Sequence, residues 1–141
     1  MPMKRLSRTS VVFLAASATL PSPTLRAEEA IDCANAMATV EMNACAEKLL
    51  EKADAALNET YKKALTAVPE MAGEKPYDAK GWEEALRASQ RAWVAFRDAE
   101  CNNHVAMFWT GGSGATADIL GCMTDKTEAR TKELKARYEA E

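Results

Sequence analysis

Four cysteines, Cys33, Cys45, Cys101 and Cys122, stand in this chain of 141 residues behind a leader laid out as an export signal. An even cysteine number in a small exported chain implies two disulfides, and two covalent bridges restrict the fold more than any other feature here. The leader is read from residues 1–27. Basic Lys4, Arg5 and Arg8 precede the apolar run Val11-Val12-Phe13-Leu14-Ala15-Ala16, which continues to Leu20. That order is a secretory signal peptide, with cleavage expected after Ala27. The run is too short to span a bilayer, and Pro21 and Pro23 come directly after it, so no membrane anchor is expected after cleavage. The destination is periplasmic or secreted. A metal site is the competing use of the cysteines, yet none stands in a C-x-x-C spacing and His104 is the only histidine, so no metal is expected. Three disulfide pairings are open, and pairings that join different helices are favoured.

Residues 28–141 form a chain of single-domain size, in which a core is adequate but disulfides still help. Removing residues 1–27 takes away Lys4, Arg5, Arg8 and Arg26 and no acidic residue, leaving 14 basic and 21 acidic side chains and a net charge of −7. Nucleic acid, which needs a basic face, is excluded as a partner, whereas a cationic protein suits this charge.

Apolar Met42, Cys45, Leu49, Ala53, Ala56, Leu57, Ala64, Leu65 and Val68 recur at three- and four-residue steps from Ala38 to Val68, which predicts an amphipathic helix ended by Pro69. A connection with two prolines and a glycine comes next, with Asp78 as cap for a second helix over Ala79 to Asn103. That helix should carry Trp82, Leu86, Trp93, Phe96 and Cys101 largely on one face, helped by a Glu83–Arg87 pair worth about 0.3 kcal/mol. A third helix over Ala117 to Ala140 has Ile119, Leu120, Met123, Leu134 and Tyr138 in register, with charge pairs Glu128–Lys132 and Glu133–Arg137. No period-two run of β-branched residues occurs, so the fold class is all-α, a small antiparallel three-helix bundle stapled by two disulfides. Antiparallel order brings all four cysteines to one end and leaves the proline-rich connection at the other, looser end.

Between the second and third helices, Gly112-Ser113-Gly114-Ala115-Thr116-Ala117 matches a dinucleotide fingerprint in form only. That fingerprint works at a strand-to-helix turn of a βαβ unit, which is absent here, and the P-loop lysine is missing too. No cofactor is expected. The stretch instead reads as a flexible, small-residue tip flanked by Phe108 and Trp109, entering a helix capped by Ser113 or Thr116, with an ordinary interhelix loop as the alternative. His104 beside Cys101 or Ser113 lacks an orienting third group, and an oxidised Cys101 is no nucleophile. Arg97, Asp98 and Glu100 beside Trp93 and Phe96 form a dense charged and aromatic cluster, read as structural, because residues two apart on a helix point in different directions. No catalytic residue is expected, and the chain is not read as an enzyme.

The chain resembles the family of small secreted proteins with the LprI-like lysozyme-inhibitor N-terminal domain. The resemblance rests on E-M-N-A-C-A at 41–46, A-D-A-A-L-N-E-T-Y at 53–61, L-R-A-S-Q-R-A-W-V-A-F-R-D-A-E-C at 86–101, Gly111-Gly112-Ser113, and Cys122 with T-E-A-R-T-K-E-L at 127–134. It implies a helical, disulfide-bonded envelope protein and suggests inhibition of lysozyme. Acylated members carry a lipid-attachment cysteine, a pattern not found around Cys33. Lysozymes are basic and their clefts hold two carboxyl groups, so the expected partner site is the disulfide-fastened end: Phe108, Trp109, Gly111, Gly112, Ser113 and Gly114, with Ser113 donating and the aromatic rings packing at the rim. The alternative is a non-inhibitory scaffold that binds an envelope protein or peptidoglycan through the same end.

Overall fold

A computed structural model describes residues 31–139. The expected signal peptide and its cleavage point lie outside the described residues. Three helices account for most of the described chain: α1 (Thr39–Met71), α2 (Ala79–Ala99) and α3 (Ala115–Tyr138), with a π-helical segment, Glu100–Val105, running on from α2. No strand occurs among the described residues, as the missing period-two pattern predicts.

The residue before α1, Ala38, has no side-chain acceptor to cap it. Glu41 fills the role from within the helix: its Oε2 accepts from the backbone N–H groups of Met37 and Ala38, at 3.2 and 3.1 Å. Pro69 does not end α1, which continues to Met71. A proline so near the terminus removes one hydrogen bond of the last turns, and the fully buried Val68 beside it holds the chain against the core. Asp78 caps α2 as expected, its Oδ1 accepting from Gly81 N–H at 3.1 Å. Gly114, the residue before α3, supplies no side-chain cap, and neither Ser113 nor Thr116 serves as one.

The longest side-chain bridges give the topology. Arg97 of α2 reaches Asp54 of α1 at 3.0 Å and Thr127 of α3 at 3.1 Å. Farther along, Lys63 approaches Glu139 at 3.8 Å and Trp82 meets Tyr138 edge to face. Helices α1 and α3 are therefore parallel and α2 antiparallel to both. The α1–α3 contact is the most extensive in the molecule. Beside the larger Leu57, Val68 and Leu134, the buried residues of these helices include small ones: Ala53, Thr60 and Ala64 on α1, Thr127 and Thr131 on α3. Small side chains at the contact let helix axes approach closely. Thr131 is accommodated there by donating its hydroxyl to the Thr127 carbonyl at 2.9 Å.

The apolar core is Leu57, Ala64, Val68, Leu86 and Leu134, with Tyr61, Leu65, Trp82, Trp93 and Tyr138 packed on it. It occupies the middle of the bundle and the proline-rich end. That end is the better packed of the two, contrary to its expected looseness. The first turns of α1 bury nothing, and Met42 and Leu49, both expected on the apolar face, are exposed. The helical period marks which side of α1 can be apolar, but α2 and α3 do not extend over that side near the start of α1. Phe96 also departs from the expected face of α2: it is mostly exposed, with the Lys126 ammonium 5.0 Å from its ring centre. Arg97 takes the inward position instead.

Candidate functional site

All four cysteines meet at the end of the bundle where α1 and α3 begin. The pairing is Cys33–Cys45 and Cys101–Cys122. Only the second joins two helices. The first ties the segment before α1 back to α1 itself, against the preference for bridges between helices. The segment it closes is short enough to fold on itself: Asp32 accepts from the Asn35 amide at 2.6 Å and from Ala34 N–H at 3.0 Å, forming a turn. These hydrogen bonds, Asn35's first, hold the exposed Asp32 carboxyl below the usual carboxylate range.

Cys101 lies fully buried inside the π-helical segment. A π turn holds an extra residue, so the chain beyond it is rotated about the axis of the preceding helix. No residue pattern in Glu100–Val105 announces it, and helical spacing predicts regular α-helix through this stretch. With all four cysteines in disulfides, a cysteine nucleophile is removed as an option. His104 sits on the same segment, its Nδ1 3.4 Å from Glu100 Oε2 and its ring tilted against Phe108 at 5.3 Å. No group of three or more metal-ligating side chains occurs among the described residues.

The glycine stretch is a closed loop rather than a pliant tip. The chain reverses at Thr110 and Gly111, with φ of 45° and 86°. The left-handed conformation at Gly111 is one glycine adopts without strain, while at the β-branched Thr110 it costs on the order of 1 kcal/mol. Trp109 then folds back over the loop. Its Nε1–H donates to Asp118 Oδ2 on α3 at 2.8 Å, and a Cβ on Gly114 would collide with its six-membered ring. Gly112 N–H closes onto the Trp109 carbonyl at 2.7 Å. Gly114 is thus glycine because an indole ring lies on it. Trp109 is 39% exposed, whereas Met107 and Phe108 are each 75% exposed. Ser113 is exposed at the turn into α3.

The Arg97 cluster is a clamp at the junction of the three helices. Arg97 is 14% exposed and bonds Asp54, Asp98 and Thr127 while its guanidinium lies 5.3 Å from the Trp93 ring centre. Glu100 does not join it but turns to His104. Nothing local in the sequence pairs Asp54 or Thr127 with Arg97, since they are 43 and 30 residues away. A second arginine, this one buried, is equally unannounced. Arg130 donates from Nε to Gln90 at 3.1 Å, from Nη2 to Ser89 at 3.1 Å and from Nη1 to Glu133 at 2.7 Å. Glu133 also accepts from Arg137, the expected pair, whereas Glu128–Lys132 forms no ion pair. The hydrogen bond from Arg130 holds the Glu133 carboxyl below its usual range, with the charges of Arg130 and Arg137 adding to it.

Charge is distributed unevenly along the bundle. Residues 32–47 and 98–125, the two stretches that build the disulfide end, contain Asp32, Glu41, Glu47, Asp98, Glu100, Asp118 and Asp125 and no lysine or arginine. The remaining residues from 28 onward hold 14 acidic and 14 basic side chains. From residue 28 onward these two stretches therefore hold the whole excess of acidic over basic side chains, with Asp98 paired to Arg97 just outside them, and residues 105–117 within them carry no charge.

The family model described as lysozyme inhibitor LprI matches residues 32–134, a span that holds both disulfides, the Arg97 clamp and the loop. The chain belongs to that family. An uncharacterized protein of Rhizobium meliloti (strain 1021) is 36% identical over 113 residues, covering 77% of this chain and 80% of its own length. No solved structure matches. Family membership agrees with an all-α, disulfide-bonded protein, and two disulfides fit an oxidising compartment. No helix among the described residues is long and apolar enough to cross a membrane.

Proposed function

We propose that this LprI-family chain inhibits a cationic lysozyme by presenting its disulfide-fastened end to the enzyme's cleft. The observation that carries the reading is the excess of carboxylates in the two stretches that build the end exposing Met107 and Phe108. A surface so polarised orients a basic partner before contact and accelerates association at low salt. The loop, residues 105–117, is neutral and bears the Ser113 hydroxyl, so it can donate to a cleft carboxylate without bringing a second negative charge to it. Phe108 supplies the apolar anchor that a stable contact needs at its centre. The Cys101–Cys122 bridge and the Trp109–Asp118 hydrogen bond hold the loop in shape before binding, which lowers the ordering cost.

The reading is tested by turbidity assay of cell-wall lysis by a c-type lysozyme with increasing amounts of the oxidised protein. Dose-dependent inhibition is expected, lost on reduction and weakened roughly tenfold or more by Phe108→Ser or Ser113→Trp. Both positions are exposed, so circular dichroism should show the fold intact. Inhibition unchanged in both variants refutes the loop as the contact. Salt-sensitive binding without any loss of lysis makes the chain a non-inhibitory envelope binder instead.

A further inference from the structure

At the end opposite the disulfides, α2, α3 and the proline-containing connection line an open pocket of about 420 Å³. That volume is within the range of small-molecule sites. Its walls are aromatic: Trp82 and Tyr138 meet edge to face with centroids 6.5 Å apart, and Tyr77 stands exposed at the mouth. Its polar lining includes Ser89, Arg130 and Arg137. A guanidinium carries five N–H donors, and the three bonds of Arg130 to Gln90, Glu133 and Ser89 leave two. Ser89 accepts from Arg130 and keeps its own hydroxyl hydrogen to give. Arg137 is tied to Glu133 by Nη2 alone and is 61% exposed beside the opening. The one carboxylate in this network, Glu133, is shared by both guanidiniums and held ionised, so the cluster of three keeps a net charge of +1.

Donors in excess of acceptors, one uncompensated positive charge and flat apolar walls specify the occupant. We infer that this pocket is a binding site for a small carboxylate with a flat apolar face, separate from the macromolecular contact at the disulfide end. The carboxylate takes the free N–H groups of Arg137 and Arg130, in the manner of charge-assisted arginine pairs, and the flat face lies against Trp82 and Tyr138. A bare inorganic anion would leave the aromatic walls unused, and an uncharged ring would leave the arginine donors unmatched. Two kinds of molecule share the required chemistry, aryl carboxylates and pyranoses bearing a carboxylate.

The experiment is calorimetric titration of the oxidised protein with phenylacetate and with N-acetylmuramic acid, with N-acetylglucosamine as the ring lacking a carboxylate. The indole N–H resonances of Trp82 and Trp109 are followed by NMR in parallel. At least one of the two carboxylates is expected to bind and to shift Trp82 while leaving Trp109 in place, and the tighter of them identifies the source. N-acetylglucosamine should bind at least about tenfold more weakly, and Arg137→Gln should weaken the carboxylate by a similar factor. Arg137 is on the surface, so this variant keeps its fold and its effect on lysozyme, and failure here is distinguishable from failure of the inhibitor reading. The proposal is overturned if neither carboxylate binds at millimolar concentration, if Arg137→Gln leaves binding unchanged, or if the shift falls on Trp109.

Discussion

The two ends of this bundle are held together by different means. At the proline-rich end, Val68, Leu86 and Leu134 are packed under Trp82 and Tyr138, and Arg130 ties α2 to α3 through Ser89 and Gln90. At the other end Cys101 is the only buried residue within 31–52 and 98–125, while Met37, Val40, Met107 and Phe108 remain exposed. Apolar burial stabilises the first end; two disulfides take its place at the second. The difference has a functional sense. An end that presents apolar side chains and an excess of carboxylates to a partner cannot also bury them in its own core, so its order must come from covalent links.

The comparison can be tested by variants that should affect one end and spare the other. The largest expected effect is on the core. Leu134→Ala removes a fully buried side chain and should lower stability by about 3–4 kcal/mol in denaturant unfolding, while lysozyme inhibition by the folded fraction is unchanged. A loss of inhibition in proportion to a loosened loop would mean that the ends are coupled. Next is replacement of both Cys101 and Cys122 by alanine. The bridge spans 21 residues, and its loss should cost about 3 kcal/mol. Hydrogen exchange should then accelerate over 100–120 and much less around Leu134; uniform acceleration would show that the bridge supports the whole bundle.

A smaller effect is expected at Gly114. A methyl group there meets the Trp109 ring, so Gly114→Ala should cost about 1–2 kcal/mol and displace the indole from Asp118. The Trp109 indole N–H resonance is the direct check, and an unmoved resonance would mean that the loop yields instead. The smallest effect concerns pH and belongs to the proline-rich end. The folded Glu133 carboxyl titrates below its unfolded value, so its contribution is present in full above about pH 4.3, the ordinary glutamate value. It is lost as pH falls through the lower folded value. Glu133→Gln should therefore lower stability at neutral pH and flatten the acid limb of the stability curve; an unchanged acid limb would assign acid sensitivity to other carboxylates.

Much of the architecture was legible in the sequence because helices announce themselves locally. The three- and four-residue spacing of apolar positions located α1, α2 and α3, and Asp78 marked a start by a hydrogen bond only three residues long. Cysteine parity implied two bridges. The candidate loop was legible as a segment but not as a shape. Its glycines suggested pliancy, whereas Gly114 in fact makes room for an indole whose partner, Asp118, lies nine residues away from Trp109. The acidic excess of the disulfide end was present in the sequence but divided between two segments that only the fold brings to one end.

By itself the sequence determined the helices, the family, the number of bridges and the overall charge, since each depends on neighbouring residues or on a count. Only the tertiary structure decided which cysteines pair, that Arg97 turns inward while the adjacent Phe96 turns outward, and that Arg130 is buried with Ser89, Gln90 and Glu133 as its polar partners. Those outcomes depend on residues from different helices competing for the same space. A helical period states which side of one helix is apolar; only packing determines how far along that side another helix lies to cover it.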